Sequence, residues 1–540
     1  MTFNRRIGLL ITLLFVSVVS GMRVLIVGTN IGYSHQQYSG RAADVLVEAG
    51  HEVDYLIPLM NNILTFNGSR LARVRRQQLS NTERIQTEMF KISVWNDAFE
   101  NDMTPSDWMK FDQLMGWYCE SLLSDSSLIS DLQAANYDVA MAEHFDACAS
   151  ALFRHLHIPS THVLSAIPMD EFTSMVNGIP IDLMNKPILF NPRQFTPIES
   201  WYEKMRNTVE FLRWRFVYMP TSVGHVVNEE TKHQQFVRLW VPIFQTPLNF
   251  LGSVDYVWLN TNEQLEQPRA LSSKIKSIGG IAVKKSGGLT EEMERLLNNC
   301  TEGAVLVSFG SIVDTTHMNR KLRDQFLEAF SRFPGFQFVW KVTRIDESLQ
   351  SALKKHPNVR AVEWMDQSGI LEHTNTRAFI THGGLNSINE AATFGVPLIT
   401  IPFFGDQHIN SAAVVSRGLA VALDRRRISA DSVASALTRV LRSSKFELTA
   451  KDVERKIASA PISPSELFVR HVEFAAQHGG LRELQLPAAS QSLWRQLSLD
   501  VWLTLLSGLV LLSVISLWSL RVALNFVTIQ TASRMKNKKE

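Results

Sequence analysis

The stretch Phe379-Ile-Thr-His-Gly-Gly-Leu-Asn-Ser-Ile-Asn-Glu390 decides the reading of this 540-residue chain, together with Gly395-Val-Pro-Leu398 and Pro402-Phe-Phe-Gly-Asp-Gln407. Residues 378–380 are apolar and read as a strand, 387–393 as a helix, and 396–401 as the next buried strand. Gly383 and Gly384 fall in the turn between the first strand and the helix. Such a turn exposes backbone N–H groups at a helix N-terminus, which suits a phosphate. His382 adds ring N–H donors beside that turn. A capping or core histidine is the plainer reading, but the glycine pair and the later carboxylate favour a ligand. Glu390 lies one helical turn beyond Asn386 on the same face, where a carboxylate can accept both hydroxyls of a ribose. Asp406 and Gln407 follow the next strand and are placed to grip sugar hydroxyls. The array reads as a site for a nucleotide diphosphate carrying a further group.

Outward from this stretch, residues 305–309, 336–342 and 359–362 read as strands and 319–333 as a helix. Ser308-Phe-Gly-Ser311 ends the first of these strands, so Ser311 and the Gly310 backbone are phosphate candidates. Trp364 and Gln367 follow the strand at 359–362, where a ring face and an amide can read a flat base. Taken alone, Trp364 reads more often as a core residue.

The N-terminal half has the same grammar. Residues 23–28 read as a strand, 29–34 as a loop, 35–49 as a helix stopped by Gly50, and 52–57 as a strand. Further strands are expected at 137–142 and 160–164, with a helix at 147–156. Two α/β halves around a polar, glycine-rich linker at 284–288 imply a cleft, and ligands bind at the C-terminal ends of such strands. The expected halves are 22–283 and 289–485. Residues 169–250 have poor periodicity and many aromatic and basic residues. They read as an insertion that shapes a pocket or touches a membrane surface, or as a packed helical subdomain with snorkelling arginines.

His35 opens the first helix. Read locally it is a solvent-exposed residue at a helix start. As a general base it would need an orienting carboxylate, and Glu143 or Asp146, just past 137–142, are the candidates. Asp146 lies further from the strand end. His144 would stand behind them.

Composition narrows the class. Hydrophobic residues make up 45% and charged residues 20%, which is globular. A net charge of +2 gives no case for a nucleic-acid partner. Cys119, Cys148 and Cys300 allow at most one intrachain disulfide. No Cys-x-x-Cys or His-Glu-x-x-His spacing supports a metal site. Arg5-Arg6 before apolar residues 7–19 and small residues 20–21 fit a signal peptide over 1–21. Residues 486–500 read as juxtamembrane. Residues 501–520 carry no charge and match the ~30 Å hydrocarbon core, and 521–540 form a basic tail. That arrangement places 21 to about 500 on the lumenal side of a single span and opens the sequons at Asn67 and Asn299 to glycosylation. The final Lys536-Asn-Lys-Lys-Glu540 resembles an endoplasmic-reticulum retrieval signal.

Together these residues resemble the UDP-glycosyltransferase family, in its animal, membrane-anchored UDP-glucuronosyltransferase branch. The resemblance runs from Gly32-Tyr-Ser-His35 and Gly50-His-Glu-Val53, through Val307-Ser-Phe-Gly-Ser311 and Glu363-Trp364 with Gln367, to Thr381-His-Gly-Gly-Leu-Asn-Ser387, Glu390, Asp406-Gln407 and Ser498-Leu-Asp-Val501. It implies an α/β chain of two Rossmann-like domains facing a cleft (the GT-B fold) plus a C-terminal transmembrane helix. It implies metal-independent, inverting transfer from a UDP-sugar co-substrate, with no cofactor, to a small lipophilic acceptor. His35 would be the base, steadied by the residue at Glu143, where the family usually has Asp. His382 and the adjacent helix end would stabilise the departing diphosphate, and Ser311, Gly384, Asn386 and Ser387 would also bind the UDP-sugar. Trp364 and Gln367 would hold uracil, Glu390 the ribose, and Asp406 with Gln407 the sugar, glucuronic acid ahead of glucose. Trp364-Met-Asp-Gln367 departs from the usual Trp-x-Pro-Gln. Partners would be the UDP-sugar, the acceptor and membrane lipid. Oligomeric state is left open.

Overall fold

The computed structural model describes residues 21–92, 97–189, 191, 193–218, 252–283, 287–491 and 498–536. The expected signal peptide up to residue 20, residues 219–251 of the insertion, 284–286 of the linker, 492–497 of the juxtamembrane segment and the last four residues lie outside them.

Two wholly parallel sheets organise the chain. The first contains β1 (Arg23–Val27), β2 (Glu52–Leu59), β3 (Arg73–Gln78), β4 (Val139–Glu143), β5 (Ser160–Ser165), β6 (Tyr256–Leu259) and β7 (Ile275–Ser277), in the order β3-β2-β1-β4-β5-β6-β7. The second contains β8 (Gly303–Ser308), β9 (Phe336–Lys341), β10 (Val359–Val362), β11 (Thr376–Thr381), β12 (Leu398–Thr400) and β13 (Ala420–Ala422), in the order β10-β9-β8-β11-β12-β13. Both orders reverse direction once, between β1 and β4 and between β8 and β11. A crevice opens at the strand C-termini at each reversal. Central strands are near-continuous apolar runs because helices cover both faces. β1 from Val24 to Val27 and all of β8 are buried.

The sequence-expected strands are present with ends shifted by a few residues. Four others were not expected: β3, β6, β7 and β13. β3 reads Arg-Val-Arg-Arg-Gln-Gln. It lies at a sheet edge, where charge blunts further pairing, and Arg73 there is paired with Asp54.

The two halves interlock. The helix Pro464–His478 follows the second sheet in sequence, yet its Phe468, Val472 and Ala475 pack in one core with Val24, Tyr38 and Trp258 of the first half. Ala98, from the first half, is buried in the core of the second. Arg425 donates to the carbonyls of Phe99 (2.7 Å) and Asn101 (2.9 Å) and pairs with Asp102.

Cys119 and Cys148 form a disulfide between the helices Pro105–Leu123 and Ala147–His155. The bond closes a loop with a sequence separation of 29, for which chain entropy alone predicts about 3–4 kcal/mol of stabilisation. Reducing the wild type, or replacing both cysteines by Ala, should therefore lower the urea midpoint of the first half to the same degree. Equal midpoints with and without reductant would contradict this.

The C-terminal helix runs Leu499–Lys536. Its stretch Leu499–Ala532 is apolar, wholly exposed and long enough to cross a membrane. It extends well past the expected 501–520, because Arg521 does not interrupt the helix.

Candidate active site

The two crevices face each other and form one cleft with a cavity volume of about 490 Å³. From the first half, the first turn of the helix Tyr33–Glu48, which follows β1, delivers Tyr33, Ser34 and His35 to it. From the second half it is lined by Ser308 to Ser311 after β8, Trp364 and Gln367 after β10, His382 to Glu390 after β11, and Asp406 with Gln407 after β12.

β1 and β4 are neighbours, with Val27 beside Ala142. Their ends therefore bring His35 and Glu143 together across 108 residues of sequence, with Nδ1 of His35 2.9 Å from Oε1 of Glu143. Glu143 is buried. Burial opposes its charge, but His144 and then His35 outweigh it and hold the carboxyl well below the usual range. Phe145 N–H donates to its second oxygen at 2.9 Å. An anionic Glu143 accepts a hydrogen bond from Nδ1–H of His35, the tautomer that leaves the lone pair on Nε2.

Asp146 does not share this role. It caps the helix Ala147–His155, accepting from Ala149 N–H at 2.9 Å and from the Tyr118 hydroxyl at 2.5 Å. Burial pushes its carboxyl up to about 6. Of the two carboxylates the sequence offered, only Glu143 meets His35. His144 stands behind as expected, its Nδ1 3.1 Å from the same Glu143 oxygen. Burial works against its charge, but Glu143, Asp170 and Asp406 raise its pKa.

In the second half, the His382 ring lies between two glycines. A Cβ on Gly384 would sit 2.5 Å from its Nε2, and one on Gly310 2.8 Å from the same ring. Both positions are therefore glycine for space, and Gly310 also for its φ of +82°. Burial, and then Lys341, push His382 down to about 4. The ring is neutral and acts as a hydrogen-bond donor. The helix Leu385–Thr393 starts beside it with Gly384 as N-cap and no side-chain cap, so its first N–H groups face the cleft unclaimed by a cap.

Glu390 is buried and accepts from Gln367 and, at 3.3 Å, from the Ser368 hydroxyl. Gln367 also donates to Ser387 at 3.2 Å. Burial pushes Glu390 up to about 7 against these bonds. Trp364 is 70% exposed, so its ring lies open at the cleft and not in the core. Asp366, at the family's usual Pro position, caps the helix Gln367–Glu372 and fixes Gln367 at its first turn. Asp406 accepts from Asn410 at 2.6 Å and lies close enough to His35 and His144 to feel both. The side-chain Oε1 of Gln407 accepts from Phe403 and Phe404 N–H at 2.8 and 3.2 Å, which pins the loop before it.

Asn386 lines the cleft but is spent on joining the halves. It accepts from Asn260 at 2.7 Å and donates to Gln37 at 3.1 Å. Lys341, Tyr33 and Ser368 were not foreseen. Lys341 ends β9 and donates to the Gly310 carbonyl at 2.7 Å. Its position at a strand C-terminus beside β8 was the available signal. Tyr33 meets the edge of Trp364 with ring centroids 6.2 Å apart. Asn67 and Asn299 are exposed on the surface.

The sequence model of the family described as "UDP-glucoronosyl and UDP-glucosyl transferase" matches residues 23–534. Among curated proteins, the putative UDP-glucuronosyltransferase ugt-46 of Caenorhabditis elegans is 25% identical over 498 residues, covering 90% of this chain and 91% of that protein. UDP-glucuronosyltransferase 2B7 of Homo sapiens is 27% identical and covers 87% of each chain. Among solved structures, Phytolacca americana UGT2, complexed with UDP-2fluoro-glucose and pterostilbene, superposes with a TM-score of 0.56 at 16% identity over 85% of this chain and 99% of its own. The calicheamicin glycosyltransferase CalG4 gives 0.55 at 16% identity, over 84% and 98%. The fold is thus the GT-B arrangement of two Rossmann-like domains. With the family match running almost end to end over that frame, the chain belongs to the UDP-glucuronosyl and UDP-glucosyl transferase family and is a UDP-glycosyltransferase.

Proposed function

We propose that the protein transfers glucuronic acid from UDP-glucuronate to a hydroxyl of a small lipophilic acceptor, with inversion and without a metal. The observation that carries this is the pairing of His35 with a buried, anionic Glu143 in the same cleft as the donor residues. In this reading His35 Nε2 takes the acceptor proton as its oxygen attacks the anomeric carbon. The bond from that carbon to the diphosphate breaks on the opposite face. The charge that grows on the diphosphate is met by His382, Lys341 and the helix N-terminus at Gly384. Trp364 and Gln367 hold uracil, Glu390 the ribose, and Asp406 with Gln407 the sugar. The C-terminal span anchors the catalytic body on the lumenal side of the endoplasmic reticulum, where Asn67 and Asn299 carry glycans.

Glucuronate is favoured by the names of the curated relatives. Glucose is the second reading, favoured by Asp406, which sets an acidic group at the sugar end beside His35 and His144. Microsomes carrying this chain, given one fluorescent phenol and either UDP-glucuronate, UDP-glucose or UDP-N-acetylglucosamine, decide between them. Product from glucuronate alone is expected. Product from glucose alone assigns the second reading, and UDP binding without any product across phenols and steroids makes the protein a binder.

Glu390 gives the nucleotide site a pH dependence. A ribose hydroxyl donates best to the ionised carboxyl, and with a carboxyl at about 7 that form is lost as pH falls. UDP affinity should therefore weaken by up to about tenfold per pH unit below 7. Calorimetric titration of UDP against the wild type and Glu390→Gln at several pH values tests this. The phosphate's own titration is common to both, so an identical slope in the variant counts against the ribose role.

A further inference from the structure

Glu143 serves two histidines. Its Oε1 is met by Nδ1 of His35 at 2.9 Å and by Nδ1 of His144 at 3.1 Å, and its Oε2 accepts from the Phe145 N–H. Successive side chains of a strand point to opposite faces. Here β4 ends at Glu143 and the chain turns, with Asp146 N–H donating to the Glu143 carbonyl at 2.8 Å, so the side chains of Glu143 and His144 converge. The Phe145 ring lies against both imidazoles, its centroid 3.7 Å from that of His144 and 5.7 Å from that of His35. The two rings differ in access. The His35 side chain is 17% exposed and lines the cleft, whereas His144 is 3% exposed and does not. His144 Nε2 is buried and has no hydrogen-bond partner among the described residues, so no acceptor can hand it a proton.

Proton counting decides what such an arrangement does. A carboxylate shut away from water demands a compensating proton or cation. With His35 as its one partner, that proton would sit on the His35–Glu143 pair, and Nε2 would have no lone pair for the acceptor. The second imidazole can hold it instead. The acidic groups around His144 come from three elements. Glu143 ends β4, Asp170 caps the helix Glu171–Val176, and Asp406 precedes the helix Gln407–Ser416. All three favour a charged His144 against its burial. His35, on the helix Tyr33–Glu48, reaches it through the shared oxygen, and Asp146 faces Glu143 from the same turn.

We propose that His144 is a positioning residue of the transfer reaction: sealed behind Glu143, it carries the proton that the buried carboxylate demands and so keeps Nε2 of His35 free for the acceptor. The inference rests on His35 being the base, as proposed above.

The test is the pH profile of kcat/KM for the acceptor, measured on the full chain in nanodiscs between about pH 5 and about pH 9. The donor is whichever of UDP-glucuronate and UDP-glucose the chain uses, at saturation. The acceptor is an alcohol, whose hydroxyl does not titrate in that range. His144→Asn sets an amide N–H where the ring presents Nδ1–H, but it cannot hold a proton; His144→Gln is run beside it. Urea midpoints and UDP titration show which variants are folded. The acid limb should move to higher pH by about one unit, the size of effect a neighbouring charge commonly has. The rate should then fall about tenfold on that limb and meet or exceed the wild type at the alkaline end, where the extra proton is gone. A limb that stays in place overturns the proposal, including one whose plateau drops equally at every pH, which is what lost packing gives. So does a limb that moves to lower pH. His35→Ala separates this from the reading beneath it. Full activity in His35→Ala removes the base and this inference with it, whereas an inactive His35→Ala beside an unmoved limb in His144→Asn overturns the role of His144 alone.

Discussion

Replacing His35 by Ala should reduce turnover by about 10²–10⁴-fold, the usual worth of a positioned general base, while leaving the affinity for UDP unchanged. The separation follows from the geometry. His35 enters from the end of β1, whereas the groups assigned to the nucleotide all lie on the second sheet. Glu143→Gln is the more telling companion. The carboxylate is acceptor-only, so it fixes the Nδ1 proton of His35 and leaves Nε2 free to accept. A Gln amide can instead donate to Nδ1 and send the proton to Nε2, where the ring no longer works as a base. Turnover should fall by a similar order, and stability should fall too, because the amide keeps the volume but not the charge that His144 and His35 meet. Steady-state kinetics and calorimetric titration of UDP on the same preparations check both. Full activity in His35→Ala would remove the mechanism, and loss of UDP binding would mean the fold had been damaged.

How much of this was legible in the sequence differs between the halves. In the second half the chemistry is local. His382, Gly384, Asn386, Ser387 and Glu390 lie within nine residues of one another, so their spacing already encodes a common face. Gly310 and Gly384 are glycine because the His382 ring fills the space a Cβ would need; the sequence marks both only as phosphate turns. In the first half the decisive contact joins residues 108 apart. It depends on β1 and β4 being neighbours, and strand order is not written in periodicity. The choice between Glu143 and Asp146 turned on a helix cap, since Asp146 is taken by Ala149 N–H and Tyr118. Asn386 carries a signature position yet bridges Asn260 and Gln37 of the first half, because the packing of the two halves brings those amides to it. The helix Trp201–Arg213 resisted reading for another reason. Its apolar residues Trp201, Met205, Val209 and Leu212 recur with helical spacing, but they are exposed, so the usual inference from stripe to core has the wrong sign.

Gly384→Ala should be nearly as damaging as removing His382 itself, although it deletes nothing. The backbone at Gly384 has φ −68° and ψ 142°, a conformation any residue adopts, so the substitution carries no backbone strain. Its only consequence is steric. The added methyl would lie 2.5 Å from Nε2 of His382 and 3.1 Å from Cε1, and no ring can remain there. The ring cannot retreat toward Gly310, because that side is already packed closely enough that a Cβ there would meet it at 2.8 Å. It must rotate away from the place where diphosphate charge develops. Losing one donor of that kind costs about 10²–10³-fold in turnover. His382→Ala should give a comparable loss, and the double variant Gly384→Ala with His382→Ala should be no worse than either single, since both remove the same interaction. Gly310→Ala should follow the same pattern with an added loss of about 1–2 kcal/mol in stability, because its φ of +82° is strained for any side chain. Kinetics of the four proteins with a fixed phenol acceptor, read beside their urea midpoints, make the comparison. Additive losses in the double variant would show that the bare Gly384 backbone makes room for the diphosphate itself and not for His382.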